Sequence, residues 1–282
     1  MEQHTELVLK QLNADPPRIG WAYHPDLGMD VLVERGTGCV IQGVGVPAPR
    51  MPQIHHPSEI RFNNGEHKGK FREHVGRFEG FVQYMYQDCE GHVTVGIGHR
   101  IKNAEAAMDL HFFHRGTSNR VTDMAKMEKA FDDVKKPHLK CKIHTVFKDM
   151  NGFDLNPTYI ENLFTKDVNQ FVKLLGSYFP KFETYPASAQ LGMLDLAYNL
   201  GTEKFHRLFK EFRKALDYRN WKKVAAESRR TEKDKDDNTI ENMKTRNDIV
   251  QGWFVEAKME DPFFVDPECG TGSIPMVGGY MG

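Results

Sequence analysis

Residues 78 to 100, FEGFVQYMYQDCEGHVTVGIGHR, decide how the rest of the chain is read. Upstream, Phe71, Val75 and Phe78 recur at near-helical spacing, so a helix running from about Asn64 stops at Gly80 and holds Glu79 in its last turn. Downstream, Val82, Tyr84 and Tyr86 alternate as in a strand, Asp88-Cys89-Glu90-Gly91 has the composition of a turn, and His92 to Ile97 reads as the return strand. Gly96 and Gly98 let the backbone come close to a ligand or a neighbouring element. The stretch is therefore a small hairpin beside a helix end, and it sets two carboxylates (Glu79, Asp88) and a hydroxyl (Thr94) on successive elements.

Further along, Asn156 can cap a helix that has Pro157 at its first position, and Ile160, Leu163, Phe164, Val168, Phe171, Val172 and Leu175 share one helical face. Residues 187 to 200 read as a strongly apolar helix ending at Gly201; Phe205 to Leu216 and a shorter segment from Trp221 follow as helices, and the last helix spans about 240 to 258. Between these blocks, residues 101 to 150 suggest helices near 103–113 and 122–135, separated by Arg115-Gly116-Thr117-Ser118-Asn119. Before the opening stretch, residues 3–13 suit a short helix and 29–46 a hairpin around Gly36 and Gly38. Residues 47–57 carry four prolines and suit a surface connector. The run at 232–238 reads as a solvated loop. The expected fold class is α+β, mostly helical and two-lobed, with a small β-hairpin lobe. One domain spans 64–258 with an insertion at about 101–150, flanked by an N-terminal appendage or linker (1–63) and an irregular tail (259–282).

Composition limits the partners. The chain has 282 residues, 39% hydrophobic and 27% charged, with a formal net charge of -1, so no overall field draws it to nucleic acid or an anionic membrane. The charge is uneven, however: Glu203 to Arg230 holds ten Lys or Arg against four Asp or Glu, a local excess of +6 suited to an anionic polymer or simply to solvent. No apolar run reaches the length of a membrane span, and the N-terminus lacks the basic start and apolar centre of a secretory signal. Cys39, Cys89, Cys141 and Cys269 lack CxxC spacing and are expected as free thiols, a Cys39 to Cys269 bridge being the alternative in an oxidising compartment. His138-x-x-Cys141-x-x-His144 drifts around a helix and has no evident fourth ligand, so no metal is expected.

The opening stretch resembles the active-site region of phage-type lysozymes, glycoside hydrolase family 24. Their pattern is Glu-Gly, an Asp nine residues after the Glu, a Thr six residues later, then Gly-Ile-Gly-His; Glu79, Asp88, Thr94, Gly96, Ile97, Gly98 and His99 fit it. The resemblance covers roughly residues 66–100 and 155–257 and leaves the 101–150 insertion unmatched. Taken singly, Glu79 is an ordinary helix-end carboxylate, Asp88 a turn former and Thr94 a strand residue. Their joint spacing is what favours catalysis.

The resemblance implies a cleft between two lobes, with Glu79 as general acid, Asp88 as base or electrostatic partner, and Thr94 helping to hold the attacking water. It implies a structural pair of His99 with Asp167, saccharide contacts from Tyr198 and Asn199 at a Tyr-Asn-Leu-Gly helix end, and Arg246 near the acid. The implied reaction is hydrolysis of the β-1,4 bond between N-acetylmuramic acid and N-acetylglucosamine in peptidoglycan, without cofactor. Inversion is the expected stereochemistry, which needs carboxyl groups roughly 6.5–9.5 Å apart. A non-catalytic peptidoglycan-binding module and a chitinase-like hydrolase are the alternatives. The expected protein is a monomer acting on glycan strands in the periplasm or cell wall after delivery by another system. Either a phage endolysin or an antibacterial effector suits it, the latter with an immunity protein or secretion carrier as partner.

Overall fold

A computed structural model of the protein describes residues 10–11, 13–14, 16–24, 26, 29–41, 65–233, 239–261 and 269. Most of the helix expected at 3–13, the end of the hairpin at 42–46, the connector at 47–57, the loop at 234–238 and nearly all of the tail lie outside the described residues.

Turn and cap chemistry sets the element order. Strands β1 (Ile19–His24) and β2 (Met29–Glu34) come first, then helix α1 (Gly65–Glu79) and the meander β3 (Val82–Gln87), β4 (Val93–Gly96) and β5 (His99–Ile101). Next are α2 (Ala104–Asp109), β6 (Phe112–His114), α3 (Met124–Val134), two 3-10 turns at Pro137–Leu139 and His144–Phe147, α4 (Lys148–Asn151) and β7 (Phe153–Leu155). The remainder is helical: α5 (Pro157–Tyr178), α6 (Ala187–Leu200), α7 (Thr202–Leu208), α8 (Lys210–Asp217), α9 (Trp221–Glu227) and α10 (Glu241–Glu260). The fold is a mostly helical α+β fold with a small β lobe. Side-chain caps start α2, α3 and α5: Asn103 accepts from the Ala106 N–H at 2.9 Å, Asp123 from Lys126 at 3.2 Å and Asn156 from Thr158 at 2.8 Å.

The chain divides into two compact units, residues 68–174 and residues 1–67 with 175–282. In the first, α1 packs on α5 through stacked Phe71 and Phe164, centroids 6.2 Å apart, and a paired contact of Arg72 with Glu161 at 2.7 and 2.9 Å. In the second, α6 is apolar on nearly every side, as a central helix must be, and is buried from Ala187 to Ala197.

Four expectations change. The hairpin expected at 29–46 gains a strand: beyond Gly36 and Gly38 the chain does return along β2, with the Val33 to Val40 bridge and bonds from the Glu34 N–H to the Cys39 carbonyl at 3.0 Å and from the Ile41 N–H to the Leu32 carbonyl at 2.9 Å. Met29–Glu34 nevertheless pairs mainly with the upstream strand Ile19–His24, and residues 42–46 lie outside the described residues. The helix expected at 103–113 ends at Asp109, because Phe112–His114 leaves to pair with Phe153–Leu155 and the insertion builds its own small sheet. The helix from Phe205 breaks at Phe209 (φ -93°, ψ 62°) into α7 and α8. The cysteines are not free thiols: Cys39 is bonded to Cys269, the pairing named as the alternative, and Cys89 to Cys141, a pairing 52 residues apart that no local spacing signals.

Candidate active site

Glu79 is the last residue of α1, half-buried, and Gly80 behind it takes φ 77°, the left-handed conformation that ends a helix and that glycine adopts without cost. The α1–α5 packing fixes the direction in which that helix end points. Asp88 sits at the first position of the turn between β3 and β4. Its Oδ1 accepts from the backbone N–H groups of Glu90 at 2.9 Å and His92 at 2.8 Å. Its Oδ2 lies 3.4 Å from His92 Nδ1 and 3.6 Å from Arg100 Nε. One carboxylate oxygen is thus held by the turn, and the other faces two basic side chains.

Thr94 lies on β4, 2% exposed, and its hydroxyl donates to the His92 carbonyl across a long 3.4 Å. It pairs directly with Tyr86 of β3, so the two side chains share one face of the hairpin. Tyr86 is the residue that the sequence reading missed. Its phenol is pushed well above the usual tyrosine range, first by burial and then by the negative charges of Glu79 and Asp88, with Arg100 opposing. Glu79, at a helix end, and Asp88, in a turn, therefore act on one ring that stands opposite Thr94. A sequence signal was present, since Tyr86 lies two residues before Asp88. It was hidden by a register shift between Val82 and Tyr86 that breaks the simple alternation of the strand.

The hairpin is tied to α5 on its far side. His99 Nδ1 lies 2.7 Å from Asp167 Oδ2, joining the two residues that the sequence singled out as a pair. Gly96 takes φ 69°, and a Cβ there would stand 3.1 Å from Ile160 Cγ2, so glycine is required both by conformation and by the approach of α5.

The other named residues belong to the second unit. Tyr198 and Asn199 occupy the last turn of α6, half-buried, before Gly201 at φ 83°. Arg246 of α10 is buried and donates through Nε to Asp195 Oδ1 at 2.9 Å, while Arg230 Nη1 donates to Asp195 Oδ2 at 2.7 Å. The structure thus gives Arg246 a buried carboxylate on α6 as partner, a residue that the sequence reading passed over as part of an apolar helix.

In the insertion, Cys141 is spent in the disulfide with Cys89, and no group of three metal-ligating side chains gathers among the described residues. A pocket of about 300 Å³ opens on the flank of the hairpin, with Arg100, Lys102 and Lys135 among its lining residues and no carboxylate. No helix among the described residues is long and apolar enough to cross a membrane. Comparison with models of known protein families and with curated protein sequences finds no match.

Proposed function

We propose that the protein is a muramidase that hydrolyses the β-1,4 bond between N-acetylmuramic acid and N-acetylglucosamine. The observation that carries this reading is the placing, within one compact unit, of Glu79 at the end of α1, Asp88 in the turn after β3 with Oδ1 held by the Glu90 and His92 N–H groups, and Thr94 on β4. Glycoside cleavage needs one carboxyl group to protonate the departing oxygen and a second to take a proton from water on the opposite face of the sugar. Glu79 is the acid and Asp88 the base, its Oδ1 held by the turn so that Oδ2 is the working oxygen. The Thr94 hydroxyl aids in holding the water. Water attack with departure of the leaving sugar inverts the anomeric centre. The reaction needs no cofactor.

Lys102 and Lys135 at the flank pocket favour peptidoglycan over chitin, because stem peptides carry carboxylates and chitin carries none. Two disulfides favour action in an oxidising compartment such as the periplasm. The biological use is cell lysis or killing of a competitor, the latter with an immunity protein as inhibitor.

The test is digestion of purified sacculi followed by mass spectrometry of the fragments before and after borohydride reduction. New reducing ends on N-acetylmuramic acid are expected, and none with Glu79→Gln. Reducing ends on N-acetylglucosamine, or undiminished clearing by Glu79→Gln, would sink the reading.

A further inference from the structure

We infer that Cys141 and His144, on the segment between α3 and α4, are positioning residues for the proposed site, so that hydrolysis requires the Cys89–Cys141 disulfide. The inference rests on the muramidase reading for its activity readout, but its geometry stands apart from it.

Cys89 is the residue after Asp88, at the tip of the hairpin. The bonds that hold Asp88 Oδ1 come from Glu90 and His92, within the same turn, and so fix the turn's shape without fixing its place. Besides Arg100 of β5, whose Nη2 donates to Glu90 Oε2 at 2.9 Å, three links from residues 135–144 do the latter. Buried Gln87 donates from one amide nitrogen to the Lys135 carbonyl at 3.1 Å and to the Gly91 carbonyl at 3.4 Å. The disulfide joins Cys89 to Cys141. His144 Nδ1 lies 3.0 Å from the Tyr84 hydroxyl, and its ring centroid is 6.2 Å from that of Tyr84 and 6.3 Å from that of Tyr86. Two of these links belong to one strap, residues 137–147, which grips the turn beside Asp88 and the strand that carries Tyr86.

The strap is weakly held by its own packing. Leu139 and Phe147 are buried, but Ile143 is 67% and Val146 46% exposed. Cys141 adopts the left-handed backbone region (φ 61°), which a non-glycine residue keeps only where its surroundings determine it. Breaking the disulfide releases Cys141 from that conformation, frees the strap, and with it the turn. Both cysteines are exposed and open to thiol exchange.

The chemistry balances through a disulfide oxidant. The thiolate of one cysteine attacks the oxidant, forming a mixed disulfide and expelling one thiol. The second cysteine displaces the other, so the protein loses two electrons and two protons while the oxidant becomes two thiols. Thiol buffers run the exchange backwards. The enzyme is thus slack where thiols are kept reduced and set where disulfides form.

The experiment uses the full chain, oxidised with glutathione disulfide or reduced with dithiothreitol, on purified sacculi. Reduction is expected to lower kcat about ten- to a hundredfold, the scale of a small misplacement of a catalytic group, with little change in KM. Reoxidation restores it. Cys89→Ser/Cys141→Ser is slow in either condition, whereas Cys39→Ser/Cys269→Ser keeps the full redox response. His144→Gln retains more activity than His144→Leu. Hydrogen exchange, which needs no activity, is expected to quicken about tenfold at residues 86–94 on reduction and to stay unchanged at 157–174. Equal rates and equal exchange in the two redox states would overturn the inference, as would loss of protection at 157–174 too, which would mean unfolding instead. If the oxidised protein cuts no glycan, the muramidase reading fails and the exchange result alone decides the positioning claim.

Discussion

Tyr86 carries the argument among single residues, because its phenol reports two charges at once. Burial disfavours the phenolate, and the carboxylates of Glu79 and Asp88 disfavour it further. The native state therefore holds this proton more tightly than the unfolded chain does. The stabilisation is fully present below the ordinary tyrosine range and is lost as pH rises through the raised native pKa. Replacing either carboxylate removes one opposing charge, so Glu79→Gln and Asp88→Asn should each move the Tyr86 titration down toward the ordinary value. Ring-carbon NMR on tyrosine-labelled protein, with Tyr86→Phe for assignment, reads this directly. A midpoint that stays put would take that carboxylate out of the site. The same Glu79→Gln variant is expected to lose turbidity clearing of cell walls while its stability stays within about 1 kcal/mol. The spacing of Glu79, Asp88 and Thr94 was legible because it lies within one short stretch. The role of Tyr86 was not, since a charge environment is a property of space and a bulge moved the side chain off the face that alternation assigns to it.

Among elements, the legible features were those with local causes. The apolar stripe of α5 and its Asn156 cap were readable, as were the ends of α1 and α6. The β6–β7 sheet was not, because each three-residue strand exists only through a partner about forty positions away. Nor was the partner of Arg246, because a carboxylate inside an apolar run reads as noise until two guanidinium groups are seen around it. Two element contacts make predictions. His99 and Asp167 join β5 to α5, with side chains 24% and 16% exposed. His99→Ala should cost about 1–2 kcal/mol, measured by denaturant unfolding, and an unchanged midpoint would remove the bracing role. Gly192 is where α6 meets α10: a Cβ there would stand 2.5 Å from Phe254 Cζ. That ring is fully buried and packed edge-on against Phe212 at 5.3 Å, so it has nowhere to retreat. Gly192→Ala should therefore destabilise by about 1–3 kcal/mol, seen as a lower melting temperature.

For the whole molecule, the described part of the N-terminal segment belongs to the same compact unit as residues 175–282. Ile19 and Val33 are 3% and 0% exposed, Tyr218 of the helical segment packs against Ala22 and Val33, and its hydroxyl donates to Asp26. Such contacts join positions nearly two hundred residues apart, beyond any periodicity or cap. The Cys39–Cys269 bridge closes this arrangement covalently across 230 residues. A loop of that length removes more freedom from the unfolded chain than a short one, so chain entropy assigns the bridge about 5.5 kcal/mol. Cys39→Ser/Cys269→Ser should accordingly unfold at lower denaturant, while hydrolysis below the melting temperature is unchanged because Glu79, Asp88 and Thr94 lie in the other unit. An unaltered unfolding midpoint would show that the strands are held by packing alone. A lost activity would show instead that hydrolysis needs the Cys39–Cys269 bridge.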